Sequence, residues 1–140
     1  MAENKPKVTT IGTFMMDLVA YTPRRPNNGE TIRGEGFAMA LGGKGFNQAI
    51  AAGRAGVDSA MLGNLGKDNF GDEFMRAFKE EGVQSSDIEL HADLGTGVAH
   101  IAVQTSDGDN CIIITPLSND RTTPDYIAVS YTHLTLPTIY

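Results

Sequence analysis

The fold is decided by the stretch Leu41-Gly42-Gly43-Lys44-Gly45-Phe46-Asn47-Gln48-Ala49, which places three glycines and a lysine directly before a helix-compatible segment. Glycines let the backbone approach a ligand closely, and a helix start offers unpaired N–H groups and a partial positive charge. Lys44 adds a mobile cation, and the Asn47 amide can both donate and accept hydrogen bonds. The stretch predicts a site for an oxygen-rich small molecule. The alternative is a strand-to-helix turn whose glycines serve only close packing.

Two nucleotide-binding motifs are excluded by the spacing around Lys44. A Walker A loop has a glycine separated by four residues from its Gly-Lys pair, and a Ser or Thr after the lysine. This chain has Ala38 and Gly45 at those positions. A dinucleotide fingerprint would need a third glycine where Gln48 stands. The stretch is therefore not predicted to take a nucleotide as its main ligand.

Composition favours one modest domain. The chain has 140 residues, of which 41% are hydrophobic, and a formal net charge of −6. An acidic chain with scattered basic residues does not fit a surface for nucleic acid or anionic membrane. The N-terminus shows no signal peptide, and no apolar stretch is long enough to span a bilayer. We therefore expect a cytoplasmic protein with neither a nucleic-acid nor a membrane partner.

The cysteine and histidine content argues against a metal centre. Cys111 is the single cysteine, so neither an internal disulfide nor a cysteine-based zinc cluster can form. The three histidines are His91, His100 and His133, and they lack the spacing of metal ligands. No metal-ligating residue is predicted.

The hydrophobic pattern predicts an α/β protein. Helices are expected from Gly43 to a cap at Gly56, and from an N-cap at Asp68 through Glu81, with Gly82 ending the second. Asp107-Gly108 between two alternating apolar runs predicts a β-hairpin. Strands are expected over residues 8–21 (a buried strand with a shorter extension), 31–40, 59–65, 88–91, 97–105 and 111–115. Strands that alternate with helices and then end in a hairpin indicate an α/β sheet with an appended β element.

The terminal segment, residues 126–140, differs from the rest of the chain. It contains no Asp, Glu, Lys or Arg, and threonine recurs at Thr132, Thr135 and Thr138 with Pro137 between the last two. No regular amphipathic element is predicted there.

Several motifs together resemble the N-terminal half of a ribokinase-like (PfkB) carbohydrate kinase. The resemblance covers residues 8 to 125, and a signature of several parts is far more specific than one glycine motif. It implies the N-terminal part of a doubly wound sheet with a small β lid, with residues 1–125 as the sugar-binding part and 126–140 as an atypical tail. The motifs are Gly12 to Asp17, Asn28 to Thr31, Gly42 to Ala49, Ala51 to Gly56, Gly63 to Asp68, Gly95 to Ala99 and Asp107 to Asn110.

The resemblance implies a chemistry and a set of site residues. Members of this family phosphorylate a hydroxyl of a sugar or nucleoside with ATP and Mg²⁺. Asp17 resembles the acid that orients the sugar, although a carboxylate there could instead bond backbone at a strand end. Gly43, Lys44 and Asn47 resemble the loop that holds the sugar and faces the transferred phosphate, although Lys44 could be a solvated surface lysine. The lid residues implied for the substrate are Thr96, Ala99 and Ile101, and lid strands of two copies could pair in a homodimer.

Two departures from the family pattern limit these expectations. Family members often have an asparagine in the Gly12 to Asp17 turn, where this chain has Phe14, Met15 and Met16, so ribose is not assured as the substrate. The catalytic Gly-Ala-Gly-Asp turn is absent, so no catalytic residue is assigned. We expect the chain to be inactive alone, as a truncated or chimeric form of a longer kinase with a foreign tail from residue 126. The alternative is a non-catalytic sugar-binding or regulatory module.

Overall fold

The computed structural model describes residues 7–131 as two sheets flanked by helices. The strands are β1 (Lys7–Ile11), β2 (Met15–Thr22), β3 (Gly36–Gly42), β4 (Asp58–Gly66), β5 (Ile88–His91), β6 (Val98–Gln104) and β7 (Asn110–Thr115). The α-helices are α1 (Lys44–Arg54), α2 (Asn69–Glu81) and α3 (Pro124–Tyr131), and a 3₁₀ helix covers Leu117–Arg121. Within this part of the chain, no helix is long and apolar enough to cross a membrane.

The two sheets divide the molecule into a core and a lid. The core sheet has the order β1-β4-β5 with parallel pairing throughout. The lid sheet has the order β3-β2-β6-β7, in which β2 and β6 are parallel and the outer pairs are antiparallel. The predicted α/β fold with a β lid is confirmed. The hairpin predicted at Asp107-Gly108 connects β6 to β7, and Gly108 has φ +78°.

The strand prediction over residues 8–21 was wrong in one respect. The chain leaves the core sheet after Ile11 and re-forms a strand at Met15, so β2 belongs to the lid and is longer than β1. The turn between them lets Gly12 touch α1, because a Cβ on Gly12 would lie 2.8 Å from the Cα of Gly45. Local hydrophobic pattern cannot show that one apolar run feeds two sheets.

Four phenylalanines form the centre of the core. Phe14, Phe46, Phe74 and Phe78 meet edge to face, with ring centroids 4.9 to 5.9 Å apart. Such pairs stabilise a core beyond the area that they bury. Phe74 and Phe78 are fully buried on the apolar face of α2. Phe14 brings the turn between β1 and β2 into the same cluster.

Helix α2 begins and ends at the predicted residues. The Asp68 carboxylate caps it by accepting a hydrogen bond from the Gly71 N–H at 2.8 Å, and Gly82 follows it with φ +67°. The same carboxylate accepts from the Thr96 N–H at 2.7 Å and from the Thr96 hydroxyl at 2.8 Å. Asp68 therefore links α2 to the segment that leads into the lid strand β6.

Replacing Asp68 by alanine is expected to lower the free energy of unfolding by about 2 to 3 kcal/mol at neutral pH, because the cap is lost and the polar groups of Thr96 lose their partner. Burial disfavours the Asp68 charge, but hydrogen bonds from Thr96 and Gly71 outweigh it and hold its pKa below the usual value. The stability that Asp68 contributes is therefore lost as pH falls through that pKa, so the deficit should shrink in acid. Urea denaturation at several pH values measures it. A deficit no larger than that of Asp72→Ala, in the same first turn, would contradict the assignment.

Helix α3 begins at Pro124 and continues to Tyr131. The sequence analysis predicts no regular amphipathic element in residues 126–140, and α3 is a helix of eight residues with only weak amphipathicity. The Tyr126 hydroxyl accepts from the Gly63 N–H at 2.9 Å and lies 2.7 Å from the Asp87 carbonyl, to which it can donate. Residues 132–140 lie outside the described residues, and the foreign origin of 126–140 stays a prediction.

Candidate functional site

The glycine-rich stretch connects the lid to the core. Strand β3 ends at Gly42, and α1 begins at Lys44. Gly43 between them has φ +102°, a conformation that favours glycine. A Cβ on Gly43 would collide with the Thr13 carbonyl and lie 3.1 Å from the Met15 nitrogen. The start of α1 is thus fixed against the turn between β1 and β2.

Asp17 lies in the middle of this junction, on β2. It is paired with Ala40 of β3 on one side and with Ala99 of β6 on the other. Its carboxylate covers Gly42, because a Cβ on Gly42 would lie 2.5 Å from the Asp17 Oδ2 atom. Because Gly42 has no side chain, the Asp17 carboxylate can occupy the space beside it.

Among the described residues, 7–131, the Asp17 carboxylate has no hydrogen-bond or ion-pair partner. No N–H or hydroxyl group within residues 7–131 donates a hydrogen bond to it, so the alternative of a carboxylate that bonds backbone at a strand end finds no support. The side chain is partly buried, and this desolvation raises the pKa of Asp17. Desolvated polar groups normally have hydrogen-bond partners. An unpaired carboxylate that is partly exposed to solvent is therefore a candidate ligand contact.

The first turn of α1 adds two further polar side chains. Lys44 and Asn47 are both exposed. Across the described part of the chain, neither side chain has a hydrogen-bond or ion-pair partner. Asn47 lines a groove that also includes Leu41 from β3 and Ile50 further along α1. The first N–H groups of the helix have no partner within the helix, so the turn presents donors and a cation beside the end of β3.

The three predicted lid residues fall into two groups. Ala99 pairs with Asp17 and Ile101 pairs with Val19, so both lie on the face of the lid that carries the carboxylate. Thr96 is buried before β6 begins, and its hydroxyl accepts from the Gly66 N–H at 3.0 Å while it donates to Asp68. The structure brings Ala99 and Ile101 to the site, whereas the Thr96 hydroxyl is used inside the chain.

Sequence analysis missed Asn119, which is buried in the 3₁₀ helix beside this junction. Its side chain bonds both backbone groups of Phe14, three residues before Asp17. The sequence offers only a weak signal for this role. Asparagine side chains often make hydrogen bonds with backbone groups, but no neighbouring residue shows that the partner is the distant Phe14. Within residues 7–131 no group of three or more His, Cys, Asp or Glu side chains could hold a metal ion.

The chain combines an α/β core with a four-stranded lid, and its polar junction lies where a glycine-rich helix start meets that lid. The chain belongs to the pfkB family of carbohydrate kinases, whose model matches residues 5–133. The predicted family is therefore confirmed.

Individual relatives match this chain over only part of their own length. Ribokinase from Lactococcus lactis is 45% identical over 123 residues, which are 87% of this chain and 40% of the relative. Deoxyribokinase from Salmonella typhi is 35% identical over 107 residues, 76% of this chain and 35% of the relative. The structure of Arabidopsis thaliana ribokinase complexed with ribose and ATP matches with a TM-score of 0.73 and 32% identity, over 82% of this chain and 37% of that one. The chain thus spans about two fifths of these relatives.

Proposed function

We propose that this chain supplies the sugar-binding part of an ATP-dependent sugar kinase. The proposal rests on the unpaired Asp17 carboxylate, which faces Gly42 at the junction of β3 and α1. A carboxylate can accept hydrogen bonds from two sugar hydroxyls and so fix the orientation of the ring. Lys44 and the free N–H groups of the first turn of α1 would then lie beside the hydroxyl that receives the phosphoryl group.

The remaining parts of the reaction are not assigned to this chain. Phosphoryl transfer depends on positioning both substrates and on cations and N–H groups that stabilise the developing charge. Mg²⁺ is expected to accompany ATP by family membership, and no residue of this chain is assigned to it. We therefore propose that the chain binds sugar but does not turn over ATP alone. A coupled assay of ADP release, run on this chain and on a longer product that carries a catalytic half, tests this proposal. Turnover by the longer product but not by the chain fits a kinase half, whereas turnover by neither fits the alternative, a non-catalytic sugar-binding or regulatory module.

Met15 supports a second candidate substrate, a deoxy sugar. Met15 and Asp17 are two residues apart on β2 and therefore lie on the same face of the lid. Met15 pairs with Gly42. Its thioether cannot donate a hydrogen bond and accepts only weakly, so a sugar hydroxyl placed against it would lose its partner in water. One relative is a deoxyribokinase, which supports the same class of sugar for this chain.

Calorimetry with D-ribose and 2-deoxy-D-ribose tests the proposed substrate class. We expect both sugars to bind, with 2-deoxy-D-ribose about tenfold tighter, because a hydroxyl without a partner costs about 1 to 2 kcal/mol. Met15→Asn, which restores a hydrogen-bonding side chain, should move the preference towards D-ribose. D-sorbitol, an open-chain polyol, is the control ligand. If neither D-ribose nor 2-deoxy-D-ribose binds, the proposed function is refuted.

The lid surface supports pairing of two copies. Its strands expose large apolar side chains on both faces, including Phe37, Ile112, Ile113 and Ile114. Exposed apolar patches of this kind are typical of interaction surfaces. We propose that two lids pack against each other in a homodimer, which sedimentation equilibrium would detect.

A further inference from the structure

Three of the four chain segments that connect the lid to the core meet at one buried side chain; the fourth is the stretch between β3 and α1. Strand β2 starts just after Phe14, β6 starts just after Gly97, and β7 ends just before Pro116. Asn119 lies among these three segments and is 5% exposed. The base of the lid is therefore organised around a single amide group.

The Asn119 amide bonds two of the three segments directly. Its Oδ1 atom accepts from the Phe14 N–H at 2.8 Å. Its Nδ2 atom donates to the Phe14 carbonyl at 2.8 Å and to the Pro116 carbonyl at 2.9 Å. The Met15 sulfur lies 4.0 Å from the same nitrogen. The Asn119 side chain thus makes the two hydrogen bonds that a neighbouring strand would make with the Phe14 backbone. Phe14 lies at the point where the chain passes from core to lid.

The third segment is fixed by contact. A Cβ on Gly97 would collide with Asn119 Nδ2 and would lie 2.7 Å from the Phe14 carbonyl oxygen. The Gly97 carbonyl accepts from the Met16 N–H at 2.8 Å. Because Gly97 has no side chain, β6 can lie directly against both Phe14 and Asn119, so all three segments are held at one point.

This arrangement determines where Asp17 lies relative to α1. Asp17 is three residues beyond Phe14, and Gly43 packs on the carbonyl of the adjacent Thr13. We propose that Asn119 is a positioning residue for substrate binding, which holds the base of the lid so that the Asp17 carboxylate faces the start of α1. The inference rests on the proposed function, because it assigns Asn119 a role at the same site. A purely structural Asn119 would stabilise the fold without affecting ligand affinity in folded protein.

Calorimetry with D-ribose and the 140-residue chain tests the proposal. Asn119→Ala should weaken D-ribose binding by about tenfold or more, because Phe14 loses both backbone partners and the turn can shift. Ser118→Ala is the matched control, because Ser118 is also buried and its hydroxyl donates to the Asn64 carbonyl of β4 at 3.1 Å, not to the turn between β1 and β2. It should leave affinity within about twofold, although it also removes a buried hydrogen bond. Asn119→Ser gives the same comparison if the alanine variant does not fold.

Amide hydrogen exchange without ligand provides a readout that does not depend on sugar. In the Asn119 variants, the amides of Met16 and Val19 should lose more protection than those of Thr10 and Leu62, which lie in the core strands β1 and β4. Equal losses in lid and core, or D-ribose affinity within about twofold of the unchanged chain, would overturn the proposal. If the unchanged chain binds no D-ribose, the proposed function fails for that sugar, and the exchange pattern alone decides the role of Asn119.

Discussion

Replacing Asp17 by alanine is expected to weaken D-ribose binding by about 100-fold or more, because two hydrogen bonds to a charged acceptor contribute about 1.5 to 3 kcal/mol each. No other described group donates to this carboxylate, so its hydrogen-bonding capacity is available to a ligand. Calorimetry on the purified variant measures the loss. Asp107→Ala is the control, because Asp107 is an exposed lid carboxylate in the hairpin at the other end of β6.

Removing the Asp17 charge should not destabilise the fold, and this separates a ligand-binding role from a structural one. Burial raises the pKa of Asp17, so ionised Asp17 opposes folding at neutral pH. The native state binds the proton more readily than the unfolded state, and stability should therefore rise as pH falls through this titration. Asp17→Asn should unfold at the same or a higher urea concentration at neutral pH. A clear loss of stability, or sugar binding that survives Asp17→Ala, would contradict the assignment.

Replacing Gly43 by alanine is expected to lower the free energy of unfolding by about 3 kcal/mol or more, since it combines an unfavourable backbone conformation with a steric clash. Its φ is +102°, and the added methyl group would meet the Thr13 carbonyl and the Met15 nitrogen. Both neighbours are backbone atoms, which cannot move aside as a flexible side chain would. Urea denaturation followed by circular dichroism measures the change.

Gly56 provides a matched control for this prediction. It follows the other end of α1 with φ +83°, but a Cβ there would meet no atom within 4 Å. Gly56→Ala should therefore cost about 1 kcal/mol, the conformational penalty alone. Equal losses for the two variants would show that the contact between the α1 start and the β1–β2 turn contributes nothing.

Features with local signals were predictable from sequence. Both end signals of helix α2, the cap at Asp68 and the terminating Gly82, lie next to the helix in sequence. The predicted bounds of α2 therefore agree with the structure. The glycine-rich stretch indicated a helix start beside a ligand site. The structure places Asp17 beside that stretch, a proximity that followed only from the family resemblance.

Features that depend on distant contacts could not be predicted. The division of residues 8–21 between two sheets depends on packing of Gly12 against Gly45, which lie far apart in sequence. The bonds of Asn119 to Phe14 span 105 residues. Thr96 was placed in the lid by resemblance, whereas its partner Asp68, 28 residues away, occupies the hydroxyl. In each case a polar or close contact across the fold decides the role of the residue.

The most direct test of the sugar site is a titration of the ¹⁵N-labelled chain with D-ribose, followed by amide chemical shifts. We predict saturable shifts at Asp17 and Ala99, and from Gly42 to Asn47. The groove between β5 and α3, which includes Glu89 and Tyr126, should stay unchanged. Shifts confined to that groove, or no saturable shift at the junction of lid and core, would contradict the assignment of this junction as a sugar site.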